Sequence, residues 1–118
     1  MGLWKSWAVE NDRFDVLVAE LRRDLIDCVV LLQHVGEQHW ADWLQATVTR
    51  LDGSERQAVE RVLGAFGGMG SFSDLVLDPT NGHDLGTSEI EVTNERLARL
   101  RSSIYQTATD LRRDLDRG

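Results

Sequence analysis

Apolar residues recur every three or four positions over most of this chain, the 3.6-residue period of helices with one buried face. Phe14, Leu17, Val18, Leu21, Leu25, Cys28, Val29, Leu32 and Val35 form the first stripe, broadened by Ile26 and Leu31. The stripe predicts a helix from about Asp12 to Val35, with Asn11 or Asp12 as N-cap. Gly36 is its natural stop, because glycine enters the left-handed cap conformation without strain. Trp40, Trp43, Leu44, Val48 and Leu51 share a face of a second predicted helix, about Glu37 to Leu51, ended by Gly53. Ser54-Glu55-Arg56-Gln57 has the Ser-x-x-Gln form of a capping box. It opens a third helix that turns Val59, Val62, Leu63 and Phe66 inward and stops at Gly67-Gly68. The last helix runs from Thr87 or Ser88 to about Arg117 and buries Ile90, Leu97, Leu100, Ile104, Ala108, Leu111 and Leu115. Its other face alternates Arg with Glu and Asp, a solvated surface.

Residues 67–86 break the pattern. Five of the ten glycines and the only proline fall there, with Asn81-Gly82 as a strong turn signal. Leu75-Val76-Leu77 has no partner strand elsewhere, so an extended or single-turn segment packed on the helices is expected. The predicted fold class is all-α: a compact bundle of three to four helices, up-and-down because its first connections are short. One domain is expected over residues 1–118, with 1–11 as an N-terminal extension and 67–86 as a Gly-rich loop before the long C-terminal helix. A chain of 118 residues buries roughly two-thirds of its unfolded surface, enough to fold without a staple.

Charge sharpens the picture. The net charge is −7, from 20 acids and 13 bases. Residues 37–86 carry eight acids and three bases, whereas 87–118 carry six of each. This argues against nucleic acid, whose phosphates demand a basic surface. It suits a basic protein partner, whose approach an acidic surface speeds; solubility is the plainer explanation. The lone Cys28 forbids an intrachain disulfide. The longest apolar run, Cys28 to Leu32, is far below the ~20 residues of a membrane span. The first residues lack the apolar stretch of a signal peptide. A cytoplasmic protein that engages no membrane is expected.

Candidate chemistry is sparse. Gly67-Gly68-Met69-Gly70-Ser71 lacks the lysine of a phosphate-binding Walker loop and follows a helix rather than a strand. The amides of Gly67, Gly68, Gly70 and Ser71 can still form an anion nest. The structural alternative is a tight corner with Met69 and Phe72 plugging the core. His34, His39 and His83 have no recognised metal spacing; surface or helix-end positions are expected, and no metal or cofactor. Cys28 lies on an apolar stripe and reads as an inert core thiol. Asp74, Asp78 and Asp84 can pair as carboxylates, but a loop also uses Asp to turn. Trp40 and Trp43 read as core. Trp4 and Trp7 either fold back as a lid or form an exposed binding element.

Leu31-Leu32-x-x-Val35-Gly36-Glu37-x-x-Trp40-Ala41-x-Trp43-Leu44 and Ala65-Phe66-Gly67-Gly68-Met69-Gly70-Ser71-Phe72-Ser73-Asp74-Leu75-Val76-Leu77 resemble a family of short bacterial proteins known only as a domain of unknown function. Asn94-Glu95-Arg96-Leu97 and Leu100-Arg101-Ser102-Ser103-Ile104-Tyr105 extend the resemblance, which covers roughly residues 25–107. The family often has Asn where this chain has Ser73, so no role is carried over to that position. The resemblance implies a bacterial origin and a compact helical fold, and brings no activity.

The functional expectation is a non-catalytic protein-binding module of the immunity or antitoxin type, a class-level analogy. Its expected contact residues are Glu37, Met69, Ser71, Phe72, Asp74, Asp78 and Asp84. The alternatives are an anion-binding protein or enzyme built on Gly67–Ser71, and a homo-oligomer that buries Trp40 with Trp43 or Trp4 with Trp7.

Overall fold

The computed structural model describes residues 2–67 and 71–117, with side chains described from Arg13 onward within those ranges. Four α-helices, α1 (Gly2–His34), α2 (Gln38–Gly53), α3 (Glu55–Gly64) and α4 (Ile90–Arg117), carry the fold, and no strand occurs among the described residues. The fold is thus an all-α bundle with a long last helix. α1 packs on α2 and α4, and α3 packs on the same two, so the four helices close into a ring. Ion pairs mark which ends meet. Arg22 of α1 meets Asp52 near the end of α2 at 3.0 Å, and Arg56 at the start of α3 meets Asp116 near the end of α4 at 3.1 Å.

The core is drawn from the predicted stripes. Leu21, Leu25, Cys28 and Leu32 of α1 meet Leu44, Val48 and Leu51 of α2, Val59 and Val62 of α3, and Leu97, Ile104 and Leu111 of α4. Burial of each such side chain stabilises the fold by about 1.5–3 kcal/mol.

Gly36 ends α1 as expected. At φ +76° it lets its own amide reach Gln33 O at 3.2 Å while the Glu37 amide reaches Leu32 O at 2.8 Å, the paired bonds of a Schellman cap. Ser54 separates α2 from α3. Its amide closes the last turn of α2 on Arg50 O, and its hydroxyl accepts the Gln57 amide that opens α3.

Three boundaries differ from expectation, one of them that of α4, which starts at Ile90 behind a 3-10 turn at Thr87–Glu89 rather than at Thr87 or Ser88. α1 starts at Gly2 rather than Asp12, so residues 2–11 continue the helix instead of forming a separate extension. Nothing in them breaks a helix: proline is absent, and Asn11 and Asp12 inside a helix each cost under about 1 kcal/mol. Trp4 and Trp7 lie on this stretch, and their side chains fall outside the described residues. α3 ends at Gly64, short of Gly67. Just beyond it the Phe72 amide bonds to Ala65 O at 3.0 Å.

Leu75-Val76-Leu77 is extended and packed on the helices, flanked by single 3-10 turns at Phe72–Asp74 and Pro79–Asn81. No helix among the described residues is long and apolar enough to cross a membrane.

Candidate functional site

Side chains of α4 and of Glu37, the N-cap residue of α2, hold the loop in place. Asn94 of α4 acts toward it as a neighbouring strand would. Its Oδ1 accepts the Leu77 amide and its Nδ2 donates to Leu77 O, both at 2.8 Å, while Nδ2 also reaches Ile90 O. About two turns further on, Arg101 donates from Nη1 to Phe72 O at 3.0 Å and Leu75 O at 2.9 Å. Backbone carbonyls that no sheet satisfies are thus satisfied by a guanidinium.

Glu37 and His83 pin the other side. The Glu37 carboxylate caps α2 by accepting the Trp40 amide on Oε2 at 3.0 Å, where the helix terminus favours negative charge. Its Oε1 lies 3.0 Å from His83 Nε2. The Asp78 amide donates to His83 Nδ1 at 3.0 Å. Nδ1 is therefore the unprotonated nitrogen, and Nε2 carries the proton it donates to Glu37. Burial raises the Glu37 carboxyl, but the Trp40 amide and His83 outweigh it, so the group sits below the ordinary carboxylate range. Asp78 is also held low, by the amide and hydroxyl of Thr80. The Asp84 amide finally ties the loop to the end of α1 through Val35 O at 2.8 Å.

Two recesses open on either side of Trp40, sharing it and Ser71. One, of about 270 Å³, is lined by Glu37, Trp40, Ser71, Asp74, Leu75, Val76, Asn81 and His83. The other, of about 310 Å³, lies between α2 and α3 against Trp43, Arg61 and Gly67. A larger open depression of about 480 Å³ lies on α4 by Arg96, Arg99, Leu100 and Ser103, away from all the candidate residues.

The structure gathers Glu37, Ser71 and Asp74 into one recess. Asp78 is half-buried beside it, on the Pro79–Asn81 turn. Asp84 is exposed and lies outside it. Phe72 is corrected as a contact residue: it is 1% exposed, its ring 5.3 Å from Trp40 and 5.7 Å from Phe66. An aromatic side chain beside a glycine turn is drawn into the nearest apolar pocket, and here that pocket is the core. Met69, Gly68 and Gly70 lie outside the described residues. Gly67 and Ser71 both line the α2–α3 recess.

His83 is also corrected: it is not a surface or helix-end residue but 8% exposed, because Glu37 and the Asp78 amide satisfy both its nitrogens. The same bonds leave neither nitrogen open to serve as a general base. Cys28 is fully buried, and burial pushes its thiol up to about 12, which makes it an inert core residue. Among the described residues no three His, Cys, Asp or Glu side chains converge as a metal site.

Sequence reasoning missed Asn94 and Arg101 as supports of the loop, His83 as its buried pin, and Arg61 in the second recess. No periodicity marks them, because each acts on residues distant in sequence.

Residues 33–86 match the model of a family described as a domain of unknown function, DUF6966. The matched stretch runs from the end of α1 through α2, α3 and the loop. It holds Glu37, Arg61, Ser71, Asp74 and His83, whereas Asn94 and Arg101 lie beyond it. No curated protein and no solved structure gives a significant match to the sequence.

Proposed function

We propose that this chain is a non-catalytic protein-binding module of the immunity or antitoxin type, which presents its acidic loop to a basic partner protein in a bacterial cytoplasm. One observation supports this most: the loop bearing Asp74, Asp78 and Asp84 is held by Asn94 and Arg101 of α4 and, through its own His83, by Glu37, the N-cap of α2. A surface ordered before its partner arrives loses less entropy on binding. Its acids speed the encounter and select against acidic competitors. Glu37 serves as a support here, and Phe72 as the core plug beneath the surface, while Asp74 and Asp84 are the exposed contacts.

Capture from the native host tests this. Tagged wild-type protein is expected to retain a stoichiometric basic polypeptide. Retention is expected to weaken as salt rises toward about 0.5 M, where screening shortens to a few ångströms. It is also expected to be lost in the folded double variant Asp74→Lys, Asp84→Lys. Equal recovery of the same polypeptide by the wild type and the charge-reversed protein contradicts the proposal.

A further inference from the structure

Arg61, like Arg101, is engaged by a backbone carbonyl and an aromatic ring. Arg22, Arg56, Arg113 and Arg117 each pair with an aspartate. Arg61 has no ion pair among the described residues, in a protein whose net charge is −7. Neutral groups hold it instead. Its Nε donates to Thr47 Oγ1 at 2.8 Å and its Nη2 to Trp43 O at 3.3 Å. The guanidinium carbon lies over the Trp43 ring, 4.0 Å from its centre, a cation–π arrangement. Thr47 is itself fully buried and fixed through its hydroxyl, which donates to Trp43 O at 2.9 Å.

These bonds use Nε and one hydrogen of Nη2. They leave the outer edge of the fork, Nη1 and the second Nη2 hydrogen, without a hydrogen bond among the described residues. That edge is the one that grips two oxygens of a carboxylate or phosphate side by side. Arg61 lines the recess of about 310 Å³ between α2 and α3, with Trp40, Trp43, Gly64, Gly67 and Ser71. The charge of Arg50 is close enough to act on it as well. The recess is an open depression that brings two indoles and one placed positive charge together.

We infer that this recess binds a small organic oxyanion, a carboxylate or phosphate borne on a flat apolar group, with Arg61 gripping the oxyanion and the indoles flanking the apolar part. The inference is independent of the basic-partner proposal, since it uses the opposite charge and another recess. The anion nest expected of the loop amides includes Gly68 and Gly70, which lie outside the described residues; the anchor inferred here is a side chain of α3.

Tryptophan emission reports on the recess directly. The probes are benzoate, phenyl phosphate, inorganic phosphate and, as the cationic counterpart, benzylamine. Wild-type protein is expected to give a saturable change with benzoate or phenyl phosphate, the tighter of the two naming the oxyanion. Binding is expected to weaken at least about tenfold in Arg61→Gln, the loss of a charged double hydrogen bond, and to be unchanged in Arg56→Gln. Circular dichroism checks the fold of each variant. If Arg61→Gln does not fold, Arg61→Lys keeps the charge without the fork and is expected to bind more weakly than wild type. The inference is overturned by no saturable response to any anion at up to about 20 mM, the weak end of small-ligand affinity. It is likewise overturned by benzylamine binding as tightly as benzoate, or by binding undiminished in the folded Arg61 variant.

Discussion

Glu37 does three jobs with one carboxylate. It caps α2, fixes the His83 tautomer and, through His83, satisfies the Asp78 amide. Because its folded-state pKa is lowered, the stability it contributes is fully present above the ordinary carboxylate value. That stability is lost as pH falls through the lower, folded-state value. Glu37→Gln keeps the shape and removes the titration. Urea unfolding at neutral pH is expected to show a loss of about 1 kcal/mol for this variant, the scale of one partly exposed charged hydrogen bond. Below about pH 4 the gap between wild type and variant is expected to narrow, as the wild-type carboxyl protonates. A gap that stays constant through acid contradicts this role for Glu37.

The helices were readable because a helix writes its burial into its own sequence at a fixed period, and because Gly36 and Gly53 punctuate it. The start of α1 was not readable, since a potential cap at Asn11 or Asp12 looks the same whether the chain begins a helix or passes through one. The loop was unreadable for another reason. Its conformation rests on side chains 17 to 46 residues away, and a sequence carries no local trace of such bonds. The acids of the site were visible as composition, but the supports beneath them were not. The two kinds of signal predict different mutational behaviour. Gly36→Ala meets no atom within 4 Å, so its cost is conformational alone, about 1–2 kcal/mol for a positive φ. That loss is expected in global melting, with the loop unaffected. Asn94→Ala strips both polar groups of Leu77 of their partner, and its main expected effect is faster proteolysis within residues 72–84 under native conditions. Cleavage no faster than in the wild type contradicts the anchoring role of Asn94.

The whole molecule is a rod, 59 × 24 × 21 Å, with a radius of gyration of 16.3 Å against about 13.5 Å for a compact chain of this length. The excess follows from α1, whose 33 residues span about 50 Å and outrun the shorter α2 and α3. The loop sits at the other end of the bundle, where α1 ends and α4 begins. Glu37, Asp74, Asp78 and Asp84 lie at that end, and Asp52 and Asp116 at the far end pair with Arg22 and Arg56. On the proposed reading, a basic partner meets the rod at its loop end.

Partner binding of this kind requires that the acids ride on a loop already fixed in the free protein. Amide hydrogen exchange across residues 75–84 of the unbound chain measures that directly. The amides of Leu77, Asp78 and Asp84, bonded to Asn94, His83 and Val35, are expected to exchange at least about a hundredfold more slowly than in a disordered peptide. Exchange of these three amides at the unprotected rate, with the helices still protected, would show a loop that is not held, and the preorganised acidic surface would not exist.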